Sequence, residues 1–351
     1  MTTQPFEPFP FHPADPADPR PGHARGDIRE VVHTYRGFHD EDHGGDVAAR
    51  KDHYFEMVKG YYDLATDFFE YGWGDSFHFA PRYRGETFRE SIRRHQHFLA
   101  ARLGLKPGMR VLDVGCGIGG PMRSVARFSG ATVVGINNNP YQLEKAAGYN
   151  REAGLAAQTE LVEADFMNMP FEEGEFDAVY AFEATCHAPD KAALFRQIHR
   201  VLKPGGVFGA YEWCLTDRYD PESVRHRRIK KGIEEGDGLP DIWTIPATVE
   251  CLEGAGFTVR EQEDRAVASD PETPWELPIT GRELSWTGVR RTKLGRRLTW
   301  AAIKVMEAAR IAPKGTMEVS QFLHAGADAL VEGGESGIFT PMFWFVAERP
   351  A

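Results

Sequence analysis

Short apolar stretches alternate with stretches of helical periodicity through the middle of the chain. Five of the apolar stretches predict β-strands, at residues 110–115, 132–136, 159–163, 176–182 and 207–213. Helical patterns lie among these strands, at residues 122–128, 141–153 and 191–202. Strands that are joined through helices pair in parallel, because the connecting helix returns the chain across one face of the sheet. The pattern therefore predicts an α/β fold with a mostly parallel sheet.

Four further elements are predicted outside this core, namely helices at 53–69 and 87–103 and strands at 257–263 and 342–348. About eighty residues separate the two late strands, and their pattern is mostly helical. Residues 70–79 carry Gly72 and Gly74 among four aromatic residues. Glycine at this density interrupts a helix, so the segment is predicted to be a loop that presents aromatic rings.

The charge balance is acidic. The chain has 41 Lys and Arg residues against 52 Asp and Glu residues, which gives a formal net charge of −11. Nucleic-acid binding needs clustered basic side chains to neutralise phosphates, and the basic runs here are short. We therefore expect no nucleic-acid partner.

The cysteines and the N-terminal segment bear on the compartment. The four cysteines are Cys116, Cys186, Cys214 and Cys251, and they form neither a C-x-x-C pair nor a metal-binding spacing. In a chain of 351 residues they predict no disulfide framework, which favours a reducing, cytoplasmic setting. The N-terminal segment lacks the basic and apolar regions of a signal peptide, and no stretch approaches the ~20 apolar residues of a spanning helix. A membrane-derived substrate would require transient, peripheral contact with the membrane.

The sharpest motif follows the first predicted strand, where Asp113 precedes a glycine-rich run that ends at Gly120. Glycines such as Gly115 and Gly117 let the backbone turn sharply beside a ligand, and the helix beyond offers free N–H groups. Dehydrogenases share a G-x-G pattern. A carboxylate two positions before the first glycine would repel a pyrophosphate, but it suits the ammonium group of a methionine moiety. The motif favours S-adenosylmethionine (SAM) as the ligand.

Two more strand ends carry suitable polar residues. After the second strand, Asn137 and Asn138 can bind ribose hydroxyls, and we include the nearby Gln142 in the same site. After the third strand, Asp165 can accept the adenine amino group beside the ring of Phe166. The carboxyl ends of parallel strands meet at one edge of a sheet, so these elements converge. Together they predict a SAM site.

Several longer segments resemble one known family, the sterol C-24 methyltransferases, over most of residues 50–350. The matching segments are 71–79, 113–121, 135–139, 182–189, 211–213, 235–240, 273–275, 312–315 and 339–343. The resemblance implies a Rossmann-like class I methyltransferase with a seven-stranded, mostly parallel sheet whose last strand is antiparallel. An N-terminal helical cap and inserted C-terminal helices should enclose an apolar pocket.

The resemblance also implies an activity. The family transfers the methyl group of SAM to the C-24 side-chain alkene carbon of a Δ24 sterol, releases S-adenosylhomocysteine and uses no metal. The chain would then divide into four parts: a disordered, Pro-rich tail at 1–27, a helical substrate cap at 28–104, a SAM-binding core at 105–265 and a C-terminal region at 266–351 that completes the sheet and the pocket.

Alkylation of an alkene requires alignment with the methyl group and stabilisation of the carbocation that forms, since no proton has to be removed first. Electron-rich ring faces can stabilise such a cation without quenching it. The predicted substrate-binding residues are Tyr71, Trp73, Phe77, Phe79, Tyr83 and, at the end of the fifth strand, Glu212.

The reaction ends when the cation loses a proton, so a base is required. Glu183 and His187 follow the fourth strand at the cofactor edge of the sheet, and they are the first candidates. Glu70, Tyr71, Asp75 and His78 from the aromatic segment are further candidates. Glu183 is also predicted to contact the cofactor.

Three alternative functions stay open. The same chemistry could act on a linear triterpene or a prenyl diphosphate, although a diphosphate needs a basic or metal-binding cluster that the sequence does not show. A non-catalytic lipid carrier would bind sterol without binding SAM. An oxidoreductase would bind a nicotinamide cofactor instead. The sequence does not determine whether the protein forms a homo-oligomer.

Overall fold

The computed structural model describes residues 28–267, 269–282 and 292–351. The predicted disordered tail at 1–27 lies outside these ranges. At the start of the described chain, the backbone N–H of Ile28 donates to the carbonyl of Lys314 at 2.9 Å, which ties the N-terminal helices to the C-terminal region. None of the helices within these ranges is long and apolar enough to cross a membrane.

The described strands form one sheet in the order β3-β2-β1-β4-β5-β8-β7, with the two-residue β6 beside β5. The strands are β1 Arg110–Val114, β2 Thr132–Asn137, β3 Thr159–Glu163, β4 Phe176–Phe182, β5 Leu202–Leu215, β6 Trp243–Thr244, β7 Thr258–Asp264 and β8 Phe339–Glu348. Strands β1 to β6 pair in parallel, whereas β8 is antiparallel to both β5 and β7. The predicted sheet with an antiparallel last strand is confirmed, and β6 raises the strand count from seven to eight.

Twelve α-helices lie within the described ranges. They are α1 Arg29–Gly37, α2 Val47–Asp52, α3 Tyr54–Trp73, α4 Phe88–Arg102, α5 Gly120–Ser129, α6 Pro140–Glu152, α7 Lys191–Val201, α8 Val224–Asp237, α9 Ile245–Gly254, α10 Leu277–Thr280, α11 Lys293–Ala308 and α12 Thr316–Ser336. Thr87 caps α4 through a reciprocal capping box with Glu90, which explains why the predicted helix begins there.

Alternate residues of each strand bury opposite faces of the sheet. On β1, Leu112 packs with Ile198 and Leu252 from α7 and α9. The preceding Val111 packs on the other face, with Leu99 from α4 and Met122 from α5. Two apolar layers thus cover the central sheet, as a parallel sheet requires.

The helix α3 is longer than its sequence pattern indicates. The prediction of a loop over 70–79 is wrong for residues 70–73, which form the last turn of the helix. Tertiary contacts hold this turn, because the Glu70 carboxylate binds the side chains of Lys145 and Tyr149 on α6. The helix ends at Gly74, whose φ of 113° is accessible to glycine at little cost.

The inserted helices α8 and α12 cross at a pair of glycines. A β-carbon added to Gly236 would lie 2.1 Å from the Cα of Gly326, so only glycine permits this approach. Apolar residues of both helices, including Ile233 and Leu330, pack against Trp213 and Phe339 at the end of the sheet. The crossing fixes the end of α8 above the carboxyl edge of the sheet.

Candidate active site

The glycine-rich loop between β1 and α5 adopts a backbone that side chains disfavour. Gly115, Gly117 and Gly119 have φ values of 77°, 52° and 77°. A β-carbon on Gly115 would also lie 2.4 Å from the Cβ of Ala184. The loop therefore depends on glycine both for its turn and for its contact with the segment that follows β4.

Asp113 lies on β1, just before this loop, and is buried. The Tyr180 hydroxyl on β4 donates to its Oδ2 at 3.0 Å. Burial raises the pKa of Asp113 to about 7, and the hydrogen bond from Tyr180 opposes that rise. A carboxyl poised near neutrality can ionise when a cationic ligand arrives.

A cavity of about 70 Å³ lies at the carboxyl edge of the sheet. The predicted cofactor residues that line it are Asp113, Gly115, Gly117, Asn137, Asn138, Gln142, Phe166 and Glu183. Within this set, the Asn137 amide donates to Gln142 Oε1 at 2.8 Å. The strand order reverses between β1 and β4 at this point, and such a switch point is where α/β sheets bind ligands.

Asp165 is the predicted cofactor residue that this lining does not include. Its Oδ1 accepts hydrogen bonds from the Tyr54 hydroxyl and, at 2.7 Å, from the Met167 backbone. The Tyr54 ring also stacks near the Phe166 ring, at 6.3 Å between centroids. Through these contacts, Asp165 helps to hold the Phe166 segment in place. The predicted contact of Asp165 with adenine stays a prediction.

A second, larger cavity of about 270 Å³ adjoins the first. The predicted residues that line it are Tyr71, Trp73, Phe77, Phe79, His78, Glu183 and His187. Helices α3, α8, α11 and α12 supply much of the remaining lining, with Phe68, Phe69, Asp237, Thr299, Ser320, Leu323 and Leu330. The N-terminal cap and the inserted helices thus enclose a largely apolar space.

Five residues line both cavities: Tyr62, Phe77, His78, Glu183 and His187. We call this set the shared wall. A ligand in the larger cavity and a ligand in the smaller one would meet at the shared wall. The arrangement suits a transfer between two bound molecules that excludes water.

Within the shared wall, Glu183 has an unusual backbone conformation, with a φ of 53° in the left-handed region. Its Oε1 accepts the Phe79 backbone N–H at 2.7 Å, and its Oε2 accepts Trp213 Nε1–H at 2.8 Å. Burial raises the pKa of Glu183 well above its usual range, although these two hydrogen bonds oppose the rise. Backbone strain of about 1–3 kcal/mol is characteristic of positions that function constrains.

His187 has both ring nitrogens engaged. Its Nδ1 donates to the carbonyl of Gly238 at 3.0 Å, so its Nε2 accepts the Tyr62 hydroxyl at 2.9 Å. Burial lowers the pKa of His187 to about 4. The imidazole is therefore neutral at physiological pH and orients the shared wall.

His78 is held in the same way. Its Nδ1 donates to the carbonyl of Phe79 at 2.8 Å, and its Nε2 accepts the side-chain amide of Gln96 at 2.9 Å. Burial lowers the pKa of His78 to about 4. Both imidazoles of the shared wall are neutral and fully hydrogen-bonded.

The three other candidate bases occupy different places. Glu70 binds Lys145 and Tyr149 outside the linings of both cavities. The Asp75 carboxylate lines the smaller cavity and pairs with Arg123 at 2.8 Å. This ion pair favours a role beside the cofactor over proton removal in the larger cavity. Tyr71 lines the larger cavity, but it is 66% exposed, which places it at the mouth.

Two predicted substrate residues lie outside the linings of both cavities. Tyr83 is 43% exposed, and the Arg94 guanidinium lies over its ring at 4.1 Å. Glu212 is fully buried and pairs with Lys191 at 3.1 Å. Each side chain is bound within the protein, and its predicted contact with the substrate stays a prediction.

The Lys191–Glu212 pair leads to a prediction about stability. Burial alone would lower the pKa of Lys191, but the Glu212 carboxylate raises it, so the lysine is charged. We expect Lys191→Met to reduce the free energy of unfolding by about 3–5 kcal/mol, because Glu212 loses its buried partner. Urea denaturation measures this change. A Lys191→Met, Glu212→Leu double variant should recover most of the loss, and equal losses in both variants would contradict the pairing argument.

The pKa of Asp113 predicts pH-dependent binding of SAM. The ionised carboxylate attracts an ammonium group, so affinity should fall as the pH drops below about 7. Tyr180→Phe removes a hydrogen bond that favours ionisation, which raises the pKa further and moves the loss of affinity to higher pH. Calorimetric titrations with SAM from about pH 6 to about pH 8.5 test this shift. Coincident pH profiles for the two proteins would refute it.

Tyr62 and Asp237 are lining residues that we did not predict from the sequence. Tyr62 lies in the predicted helix, where its ring could not be distinguished from other buried rings. Asp237 lies in the 235–240 segment, whose match to the family was the only available signal. Neither residue follows a strand, so the pattern of polar residues at strand ends does not include them.

A switch-point cavity, a glycine loop after β1 and a buried carboxylate beside it agree with the predicted class I SAM-dependent methyltransferase. A methyltransferase domain model matches residues 112–210, and a sterol methyltransferase C-terminal model matches residues 286–351. The chain belongs to the sterol 24-C-methyltransferase family, as the following relatives show. It is therefore a SAM-dependent C-methyltransferase.

Two curated relatives illustrate the match. The cycloartenol-C-24-methyltransferase of Arabidopsis thaliana is 51% identical over 326 residues, which cover 93% of this chain and 96% of the relative. The sterol 24-C-methyltransferase of Yarrowia lipolytica is 46% identical over 330 residues, with 90% and 86% covered.

Solved structures agree on the fold. The cyclopropane synthase MmaA2 of Mycobacterium tuberculosis has a TM-score of 0.65 at 20% identity, over 84% of this chain and 98% of that one. The geranyl diphosphate C-methyltransferase of Streptomyces coelicolor has a TM-score of 0.60 at 17% identity, over 84% and 97%. At these identities the likeness establishes the fold alone, and the predicted class I methyltransferase architecture is confirmed.

Proposed function

We propose that this enzyme transfers the methyl group of SAM to the C-24 side-chain alkene carbon of a Δ24 sterol, in the larger cavity. The observation that carries the proposal is the shared wall, across which an apolar cavity of about 270 Å³ adjoins the switch-point cavity. The relatives are named for action at C-24 of sterols. S-adenosylhomocysteine would be the second product.

The smaller cavity has side chains that suit SAM. Asp113 would face the ammonium group, Asn137 and Asn138 would bind the ribose, and Phe166 would lie beside the adenine. When bound, SAM supplies an electrophilic methyl group on a sulfonium. The residues of the chain contribute orientation and charge, since the alkene needs no base before it reacts.

The larger cavity suits the cation that methylation creates. Trp73, Phe77 and Phe79 would present ring faces that stabilise positive charge and exclude water. In its ionised form, which the two N–H donors favour, the Glu183 carboxylate in the shared wall would add a negative charge close to the reacting carbon. Its two N–H donors would keep it in place when the cation forms.

A prenyl diphosphate is a weaker candidate substrate. Within the described part of the chain, Arg296 is the one arginine or lysine that lines the larger cavity. Its two terminal guanidinium nitrogens donate to the two carboxylate oxygens of Asp328, at 2.8 and 2.7 Å. The described residues also contain no group of three or more His, Cys, Asp or Glu side chains placed to hold a metal. Within the described residues, this lining therefore offers a diphosphate one cationic side chain, which is already paired.

The mouth of the larger cavity favours transient contact with a membrane. Helix α11 contributes Thr299 to the lining, and its Leu298 and Val305 side chains are exposed to solvent. We propose a cytoplasmic enzyme that takes its sterol from a bilayer through this face. Co-sedimentation with sterol-containing vesicles, with Leu298→Ser as the comparison, tests the contact.

One incubation tests the main proposal. The protein is mixed with methyl-labelled SAM and, in separate reactions, with Δ24 sterols, squalene and geranyl diphosphate, and the products are identified by mass spectrometry. We expect label in a 24-alkylated sterol. Transfer to squalene or geranyl diphosphate alone would redirect the substrate assignment, and SAM binding without transfer to any acceptor would contradict it. A lipid carrier would show no SAM binding in calorimetry.

A further inference from the structure

We propose that Asp237 is the base that takes the proton from the methylated sterol cation. The assignment rests on the proposed function and names the residue that completes it. Asp237 is the last residue of α8 and lines the larger cavity. Its Oδ2 is buried and has no hydrogen-bond partner within the described part of the chain.

The backbone around Asp237 is firmly positioned. On one side, Gly236 contacts Gly326 at the helix crossing, where no side chain fits. On the other side, the carbonyl of Gly238 accepts a hydrogen bond from His187 of the shared wall. Asp237 lines the larger cavity between these two anchored glycines, so its carboxylate lies close to the shared wall.

The other candidate bases in this cavity are already engaged. Each carboxylate oxygen of Glu183 accepts an N–H. The two nitrogens of His187 and the two nitrogens of His78 are also hydrogen-bonded. The Tyr62 hydroxyl donates a hydrogen bond to His187 Nε2. Asp237 Oδ2 is the acceptor that these contacts leave available.

The step balances in charge and electrons. A C–H bond next to the cationic carbon breaks, its electron pair becomes the new C=C bond, and the proton moves to Asp237 Oδ2. The sterol loses its positive charge as the aspartate loses its negative charge. Burial raises the pKa of Asp237 to about 8, so the ionised form that accepts the proton is populated as the pH rises toward that value, and the carboxyl form that results suits the apolar cavity.

Asp237→Asn tests the assignment, with SAM, a Δ24 sterol and the same sterol deuterated at the carbon that loses its proton. We expect kcat for the alkene product to fall by about 10²–10⁴-fold, the range for loss of a general base, with little change in KM. The deuterium isotope effect on kcat should rise, because proton removal becomes rate-limiting. SAM binding and the melting temperature should be retained, since Oδ2 has no partner to lose.

Two further variants make the result decisive. Asp241→Asn is the matched control, because that carboxylate pairs with Lys51 and Lys230 outside the cavity lining, and its kcat should be unchanged. Asp237→Glu retains a carboxylate and should recover turnover relative to the asparagine variant. Either of two results overturns the assignment. In the first, kcat for Asp237→Asn stays within about threefold of wild type. In the second, Asp237→Glu is as inactive as Asp237→Asn although both variants bind SAM and sterol. If the wild type methylates no Δ24 sterol, the proposed function fails first.

Discussion

Glu183→Gln is expected to lower kcat for sterol methylation by about 10²–10³-fold, while SAM affinity changes by only about a few-fold. The substitution removes the negative charge that ionised Glu183 would place in the shared wall, where we propose that the cation forms. It preserves the size of the side chain, so the shapes of both cavities should persist. Steady-state kinetics with a Δ24 sterol, together with calorimetry for SAM, separates the loss of turnover from any loss of binding.

The substitution also changes the hydrogen bonds. The N–H groups of Phe79 and Trp213 each donate to a separate oxygen of Glu183, and a glutamine side chain has only one oxygen to accept them. A lost hydrogen bond of this kind costs about 1–3 kcal/mol and could mimic an electrostatic effect. Trp213→Phe removes one donor and provides the control. In the Trp213→Phe background, Glu183→Gln should still lower kcat by a similar factor. If Glu183→Gln does not lower kcat in the Trp213→Phe background, the charge of Glu183 has no role in catalysis.

Asp113→Asn is expected to weaken SAM binding by at least about 100-fold. The buried carboxylate is the group in the smaller cavity that suits the ammonium of the methionine moiety, and an amide cannot balance that charge. The Tyr180 hydroxyl can still donate to the asparagine oxygen, so folding should be preserved. Calorimetry with SAM and thermal unfolding without it measure the two quantities independently.

Asp177→Asn is the matched control for this experiment. Asp177 lies near the amino end of β4, where it pairs with Lys203 at 2.6 Å and accepts the Arg110 N–H. A ligand at the carboxyl edge of the sheet does not reach that position, so SAM affinity should be unchanged. An Asp113→Asn variant that binds SAM within about threefold of wild type would falsify the proposed role of the carboxylate.

The elements of the sheet could be predicted from local patterns. The strand predicted at 159–163 coincides with β3, and the strand predicted at 176–182 coincides with β4. A run of apolar residues is a property of neighbouring positions, so it is visible without any knowledge of the partners. The end of α3 was missed because distant contacts hold its last turn, including that of Glu70 with Lys145.

Charged residues at the ends of strands were harder to interpret. Glu183 and Glu212 both follow or end a strand on the same edge of the sheet, and the sequence offers no distinction between them. In the structure, Glu183 faces both cavities, whereas Glu212 is neutralised by Lys191 behind the site. The difference lies in which neighbour reaches each carboxylate.

The sequence by itself determined the methyltransferase class, the glycine loop, the SAM edge of the sheet and, through its family resemblance, the sterol substrate. These features depend on short segments whose periodicity or motif is local. The tertiary structure decided which side chains form the shared wall, and it left Asp237 as the available base. Which acceptor stays available depends on hydrogen-bond partners that are far apart in the chain. Phe79 and Glu183, for example, are 104 residues apart. Only folding brings such partners together.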